Sequence, residues 1–97
     1  MEAIPNLKWA IAKVVKELRT SKGWTQEQLA GFSGLSSVYI TKVERGLCGD
    51  SLNALFLLAQ AVGKRPSEVL MKIEMELEAG PDKPSSILGR PQKERSL

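Results

Sequence analysis

The chain has 97 residues, of which 42% are hydrophobic and 26% are charged, a balance typical of one small globular domain. It contains no histidine and a single cysteine, Cys48, which excludes His-based catalysis, a zinc site of His and Cys ligands, and an internal disulfide. The net charge is +3, and no apolar run approaches the roughly 20 residues of a membrane span. With no signal peptide at the N-terminus, we expect a cytoplasmic protein without a metal, a cofactor or a membrane anchor.

The first predicted helix spans residues 6–22 and ends before Gly23. Its apolar side chains recur at helical spacing, and lysines occupy the positions between them, which is the pattern of an amphipathic helix. The apolar set consists of Ile11, Val14, Val15 and Leu18.

Two short helices follow, and each has a clear start and stop. The sequence Thr25-Gln26-Glu27-Gln28 predicts a capping box at the start of the second helix, which ends at Gly34. Ser36 is the predicted cap of the third helix, which ends at Gly46. Ile40 and Val43, three positions apart, are expected to face inward.

Two further helices complete the predicted fold. The fourth begins after Ser51, and its apolar residues cover most of its circumference, so we expect it to be the central core helix. The fifth begins near Pro66 and ends at Gly80. Its expected core stripe consists of Val69, Leu70, Ile73 and Leu77.

The predicted fold class is therefore all-α, a compact five-helix bundle with one domain over residues 1–79. Residues 80–97 are rich in Pro, Gly, Ser and charge, which predicts a flexible tail. Positive charge is concentrated in residues 1–65, where nine basic side chains accompany five acidic ones.

The second and third helices, joined by a tight glycine turn, have the form of a helix-turn-helix. One side of the third helix combines hydroxyl groups, one apolar side chain and two cations, a mixture suited to the edges of base pairs in a major groove. These residues are Ser37, Val38, Thr41, Lys42 and Arg45.

Three segments of this region carry a family resemblance. The sequences TQEQLA at 25–30, SGLS at 33–36 and VERG at 43–46 resemble the phage repressor and Cro type of helix-turn-helix, the XRE-like regulators of bacteria. The resemblance extends from about Ala10 to Leu70. The string SGLSSVYI followed by VERG is most similar to the branch that contains controller proteins of restriction–modification systems.

The resemblance implies a lambda-repressor-like fold, a role in regulating or repressing transcription, and a set of DNA-binding residues. Gln26 would bind a backbone phosphate and brace the third helix, and Arg19 and Glu44 would form an ion pair between the first and third helices. Base edges would be met by Ser37, Val38, Thr41 and Lys42, and phosphates or flanking groups by Ser36, Tyr39 and Arg45. The loop at 47–50 departs from the family pattern because it has no cation.

Two classes of function remain open from the residues. The first is a sequence-specific transcription regulator that binds a palindromic operator in double-stranded DNA as a homodimer, with Met71 and Met75 as an exposed apolar pair at the dimer interface. The second is a protein-interaction module of the same fold, such as an antitoxin or an adaptor. A steep loss of affinity with salt would mark the first. Enzymatic activity is not expected, since the carboxylates of the fifth helix resemble a solvated edge rather than an acid–base pair.

Overall fold

The computed structural model describes residues 4–49 and 51–80, and within these ranges the chain forms five α-helices and no strand. The helices are α1 (Leu7–Ser21), α2 (Gln26–Ser33), α3 (Ser37–Glu44), α4 (Leu52–Val62) and α5 (Pro66–Ala79). The all-α prediction is confirmed, and each helix lies within two residues of its predicted start. None of the five has the length and apolar character of a membrane-spanning helix. Residues 81–97, predicted to form a flexible tail, lie outside the described residues.

The caps predicted from the sequence are present at the starts of α2, α3 and α4. The Thr25 hydroxyl accepts from the Gln28 backbone N–H at 3.1 Å, and the Gln28 side chain accepts from the Thr25 N–H at 2.9 Å, which completes the capping box. Ser36 and Ser51 cap the next two helices in the same way, at 3.0 and 3.1 Å. These caps satisfy backbone donors that a short helix otherwise exposes to water.

The core is built around α1, which packs against α3 and α5 and also touches α4. Its buried residues cover more than one face, because neighbouring helices lie on both sides of it. They are Ala10, Ile11, Ala12, Val14, Val15 and Leu18. Opposite them, α3 contributes Ile40 and Val43, which are 0% and 1% exposed as predicted.

The prediction that α4 is the central core helix is wrong. Ala54, Leu58, Ala59 and Val62 are its only buried residues in the structure, whereas Leu52 is 64% exposed and Phe56 48% exposed. The reason is that α4 packs on α2 and α5 and more slightly on α1, and no helix of the described ranges covers the side that carries Leu52 and Phe56. The apolar residues that cover most of the circumference of α4 therefore did not identify it correctly as the central helix.

The predicted core stripe of α5 is also wrong at one position. Val69 and Ile73 are buried and Leu77 packs against the core, but Leu70 is 48% exposed. One residue along a helix turns the side chain by about 100°, so Leu70 lies beside the stripe rather than within it. It lines the open side of an apolar hollow of about 210 Å³, together with Leu52 of α4 and Ile11 of α1.

Two valines on α3 test this arrangement with the same chemical change. Val43→Ala removes methyl groups from the core and should lower the free energy of unfolding by roughly 1.5–3 kcal/mol. Val38 is 63% exposed, so Val38→Ala should change it by less than about 0.5 kcal/mol. Chemical denaturation of the purified variants measures both values. Equal losses in the two variants would contradict the orientation of α3.

Candidate nucleic-acid interface

The turn between α2 and α3 sets the angle at which α3 meets the rest of the fold. Gly34 ends α2 with φ of 80°, a left-handed conformation that glycine adopts without strain. Its N–H donates to the Ala30 carbonyl at 2.9 Å, and the Leu35 N–H donates to the Ser33 hydroxyl at 3.3 Å. Ser36 then caps α3. The bonds of the Gly34 and Leu35 N–H groups and the Ser36 cap restrict the conformation of the turn.

The outer side of α3 carries the residues predicted to face DNA. Val38, Lys42 and Arg45 are exposed, and Ser37 and Thr41 are half-buried. The buried Ile40 and Val43 hold the opposite side of the helix against the core. The structure therefore brings these five predicted residues to one surface, which offers two cations, two hydroxyl groups and one apolar group.

Behind this surface lies a buried carboxylate. The Glu44 side chain is 1% exposed, and Arg19 from α1 binds it with two hydrogen bonds, from Nε to Oε2 at 2.7 Å and from Nη2 to Oε1 at 3.0 Å. The third Arg19 donor, Nη1, reaches the Trp24 carbonyl at 2.7 Å. The ion pair implied by the family resemblance is therefore present, and it links α1 to both α3 and the entry to α2.

The pKa of Arg19 reflects this geometry. The hydrogen bond to Glu44 raises the pKa of Arg19 above its ordinary value, and the opposing effect of burial is smaller. The two parallel hydrogen bonds join a guanidinium group to a carboxylate group, a pairing that makes them strong and sensitive to angle. The relative position of α1 and α3 is fixed as a result.

Gln26 is the second partner of the buried carboxylate. Its Nε2 donates to Glu44 Oε1 at 2.9 Å, and its Oε1 accepts from the Thr41 hydroxyl at 2.9 Å. The side chain thus joins the first turn of α2 to two positions of α3, which is the bracing role predicted for it. The contact with Thr41 could not be found in the sequence, since nothing in the spacing of residues 26 and 41 indicates it.

The remaining predicted site residues have structural partners of their own. The Ser36 hydroxyl is occupied as the cap of α3, so a phosphate would have to share it. Tyr39 is half-buried, packs against the core and lines the apolar hollow beside α4. Met71 and Met75 are each 60% exposed on α5. No group of three or more metal-ligating His, Cys, Asp or Glu side chains occurs within the described ranges.

A family model described as helix-turn-helix matches residues 15–69, which include all of α2, α3 and α4. The chain is 39% identical over 64 residues to a competence pilus inhibition repressor of Acinetobacter baylyi, an alignment that covers 66% of this chain and 58% of the relative. It is also 33% identical over 75 residues to the control protein C.SmaI of Serratia marcescens, covering 77% of this chain and 89% of that protein.

A solved structure shows the same architecture. The crystal structure of the restriction–modification controller protein C.AhdI from Aeromonas hydrophila superposes with a TM-score of 0.61 at 37% identity, over 68% of this chain and 99% of that one. The chain spans about half the length of several curated relatives that it matches, between 49% and 60% of each. These likenesses confirm the resemblance drawn from the three sequence segments.

The ion pair can be tested by removing one partner or both. Arg19→Met leaves the Glu44 carboxylate buried without its cation and should lower the free energy of unfolding by about 3–5 kcal/mol. Arg19→Met combined with Glu44→Leu removes both charges and should cost far less than the sum of the single losses. Denaturant unfolding of the three variants and the parent completes a double-mutant cycle. Strictly additive losses would mean that the two residues do not interact.

Proposed function

The chain belongs to the helix-turn-helix family, and from that premise we propose that it regulates transcription by binding duplex DNA sequence-specifically, with α3 in the major groove. The observation that carries the proposal is the outer side of α3. Its cations, hydroxyls and exposed Val38 face away from the core on a helix that a buried ion pair holds in place. Such a helix, about 10–12 Å across, fits the roughly 12 Å width of the major groove.

The chemistry of this surface supports contacts of different kinds. Lys42 can donate to the acceptors of guanine, and Val38 can meet a thymine methyl group. Arg45, at the C-terminal end of α3, is placed for a phosphate at the edge of the groove. The relatives reported above are named as a repressor and control proteins, which supports a regulatory and non-enzymatic role in the cytoplasm.

A single α3 of eight residues reads too few base pairs to select one site in a genome. We therefore propose a two-fold symmetric homodimer on a palindromic operator, with its recognition helices about 34 Å apart, one turn of the double helix. Two apolar surfaces compete for the dimer interface. One is the pair Met71 and Met75, which the sequence predicts, and the other is the outward side of α4 at Leu52 and Phe56.

The α4 surface is the better candidate for the interface. Met71 and Met75 each lie two positions from a buried residue of α5 and therefore nearly opposite the core. Leu52 instead lines the 210 Å³ apolar hollow. The wall of this hollow also includes Leu70 of α5 and Tyr39 of α3. Apolar side chains from a second copy would fill this hollow and bury more surface than two methionines.

Base reading by α3 is tested with two lysine variants that lose the same charge. Lys42→Ala should weaken binding to the best site by about 1–3 kcal/mol and relax the preference at one base pair. Lys72→Ala, on α5, should leave the affinity for the best site and the base preference unchanged. Titrations at several salt concentrations measure affinity and its salt dependence. Equal affinities of the Lys42→Ala and Lys72→Ala variants for the best site would contradict base reading by Lys42. DNA binding that does not weaken with salt would lack phosphate contacts, and that result would favour the protein-interaction function.

The dimer is tested by sedimentation at micromolar concentration, where the parent should have about twice the 10.6 kDa mass of the chain. Leu52→Glu with Phe56→Glu should give a monomer that binds the operator weakly, because charge is placed in the apolar interface. Met71→Glu with Met75→Glu adds the same charge and should remain dimeric. If the Leu52/Phe56 variant stays dimeric and the Met71/Met75 variant is monomeric, the interface lies on α5 instead. A parent that is monomeric at every concentration and binds half-sites fully would contradict the dimer.

A further inference from the structure

The buried carboxylate of Glu44 determines which way the Gln26 amide points. An ionised carboxylate only accepts hydrogen bonds, so the amide nitrogen of Gln26 must face it, as it does at 2.9 Å. The amide oxygen then points toward α3 and lies 2.9 Å from the Thr41 hydroxyl. Rotating the amide by 180° would place its oxygen against a carboxylate oxygen, which is repulsive. The orientation is therefore set by charge.

The fixed amide in turn sets the direction of the Thr41 proton. A hydroxyl has one proton to donate, and both polar atoms beside Thr41 Oγ1 are pure acceptors, the Gln26 amide oxygen and the Ser37 backbone carbonyl, each at 2.9 Å. Whichever of them takes the proton, the hydroxyl donates into the protein. Only its two lone pairs remain for an external partner.

Thr41 lies between Val38 and Lys42 on the outer side of α3, so its external partner in a complex is a base edge. We propose that Thr41 acts as a hydrogen-bond acceptor only and contacts the exocyclic amino group of one base, N6 of adenine or N4 of cytosine. Since every base pair carries one such amino group in the major groove, the contact fixes which strand of the pair that base occupies. The guanine O6 and thymine O4 atoms are acceptors themselves and offer it nothing. This inference rests on the proposed function, because it concerns which bases α3 reads.

The Ser37 and Thr41 hydroxyls differ in their freedom to donate a hydrogen bond to DNA. The Ser37 hydroxyl makes no side-chain hydrogen bond in the part of the chain that the structure describes, so it can turn to donate or to accept. Thr41 has lost that choice through a chain of contacts that runs from Arg19 to Glu44 and then Gln26. Gln26 is accordingly a positioning residue, whose side chain acts on DNA through Thr41.

The test is the selection of bound fragments from random duplex DNA by the parent and its variants. The parent should enrich one base pair at the position that Thr41 meets. Replacing its adenine by purine, or its cytosine by 2-pyrimidinone, removes the amino group and should weaken parental binding by roughly two- to tenfold. Thr41→Val keeps the shape but removes the hydroxyl, and the preference there should fall by roughly two- to tenfold, the worth of one hydrogen bond. Thr41→Ser keeps the hydroxyl and should retain the preference. Should Thr41→Val not fold, Thr41→Ala makes the same comparison.

Thr20→Val is the matched control. The Thr20 hydroxyl donates to the carbonyl four residues before it at 2.9 Å, as Thr41 does, but it lies on α1. This variant should select the same sequences as the parent. The inference is overturned if removing that amino group leaves parental binding unchanged, or if Thr41→Val selects the parental sequences. A parent that enriches no sequence at all would instead overturn the proposed function, and this inference with it.

Discussion

The buried carboxylate of Glu44 is the constraint on which the rest of the structure depends. A charge with 1% of its side chain exposed is costly to remove from water, and that cost is offset only when partners of good geometry surround it. Here the partners come from two elements, Arg19 on α1 and Gln26 on α2, while Glu44 itself belongs to α3. Small displacements of any of these helices would lengthen charge-assisted hydrogen bonds. The carboxylate therefore specifies one arrangement of the three helices more than it adds to their stability.

This arrangement matters because α3 is short. An isolated helix of eight residues is unstable in water, so α3 depends on its cap, its buried Ile40 and Val43, and the contacts of Glu44. The same contacts face inward, which leaves the outer side of α3 free to carry Val38, Lys42 and Arg45. The polar network lies directly beneath that surface and transmits an orientation to it through Thr41. The supporting contacts and the proposed recognition surface thus lie on opposite sides of one helix.

The sequence was sufficient to predict features that depend on neighbouring residues. Helix starts were marked by Thr25, Ser36 and Ser51, whose side chains cap the next few backbone groups. The Arg19–Glu44 pair was predicted through family resemblance, because its residues lie 25 positions apart and no local pattern joins them. Features set by packing between helices were not predictable. Leu52 and Leu70 carry the same apolar signal as core residues, and they are exposed because no helix within residues 4–49 and 51–80 covers them. The contact between Gln26 and Thr41 likewise depends on how α2 meets α3.

The most direct test of the central claim is the solvent exchange of the Arg19 Nε–H and Gln26 side-chain amide protons, measured by NMR in the free protein at low salt and at 1 M salt. A network held by hydrogen bonds to a buried carboxylate predicts slow exchange and resolved signals, at both salt concentrations, for the Arg19 Nε–H and for the Gln26 amide proton that Glu44 accepts. At 1 M salt, charges in solvent are screened beyond about 3 Å, whereas a buried or partly buried pair is screened much less. The exposed Arg45 and Gln60 provide internal references that should exchange rapidly. Rapid exchange of the Arg19 and Gln26 protons, at the rates of these references, would contradict the account.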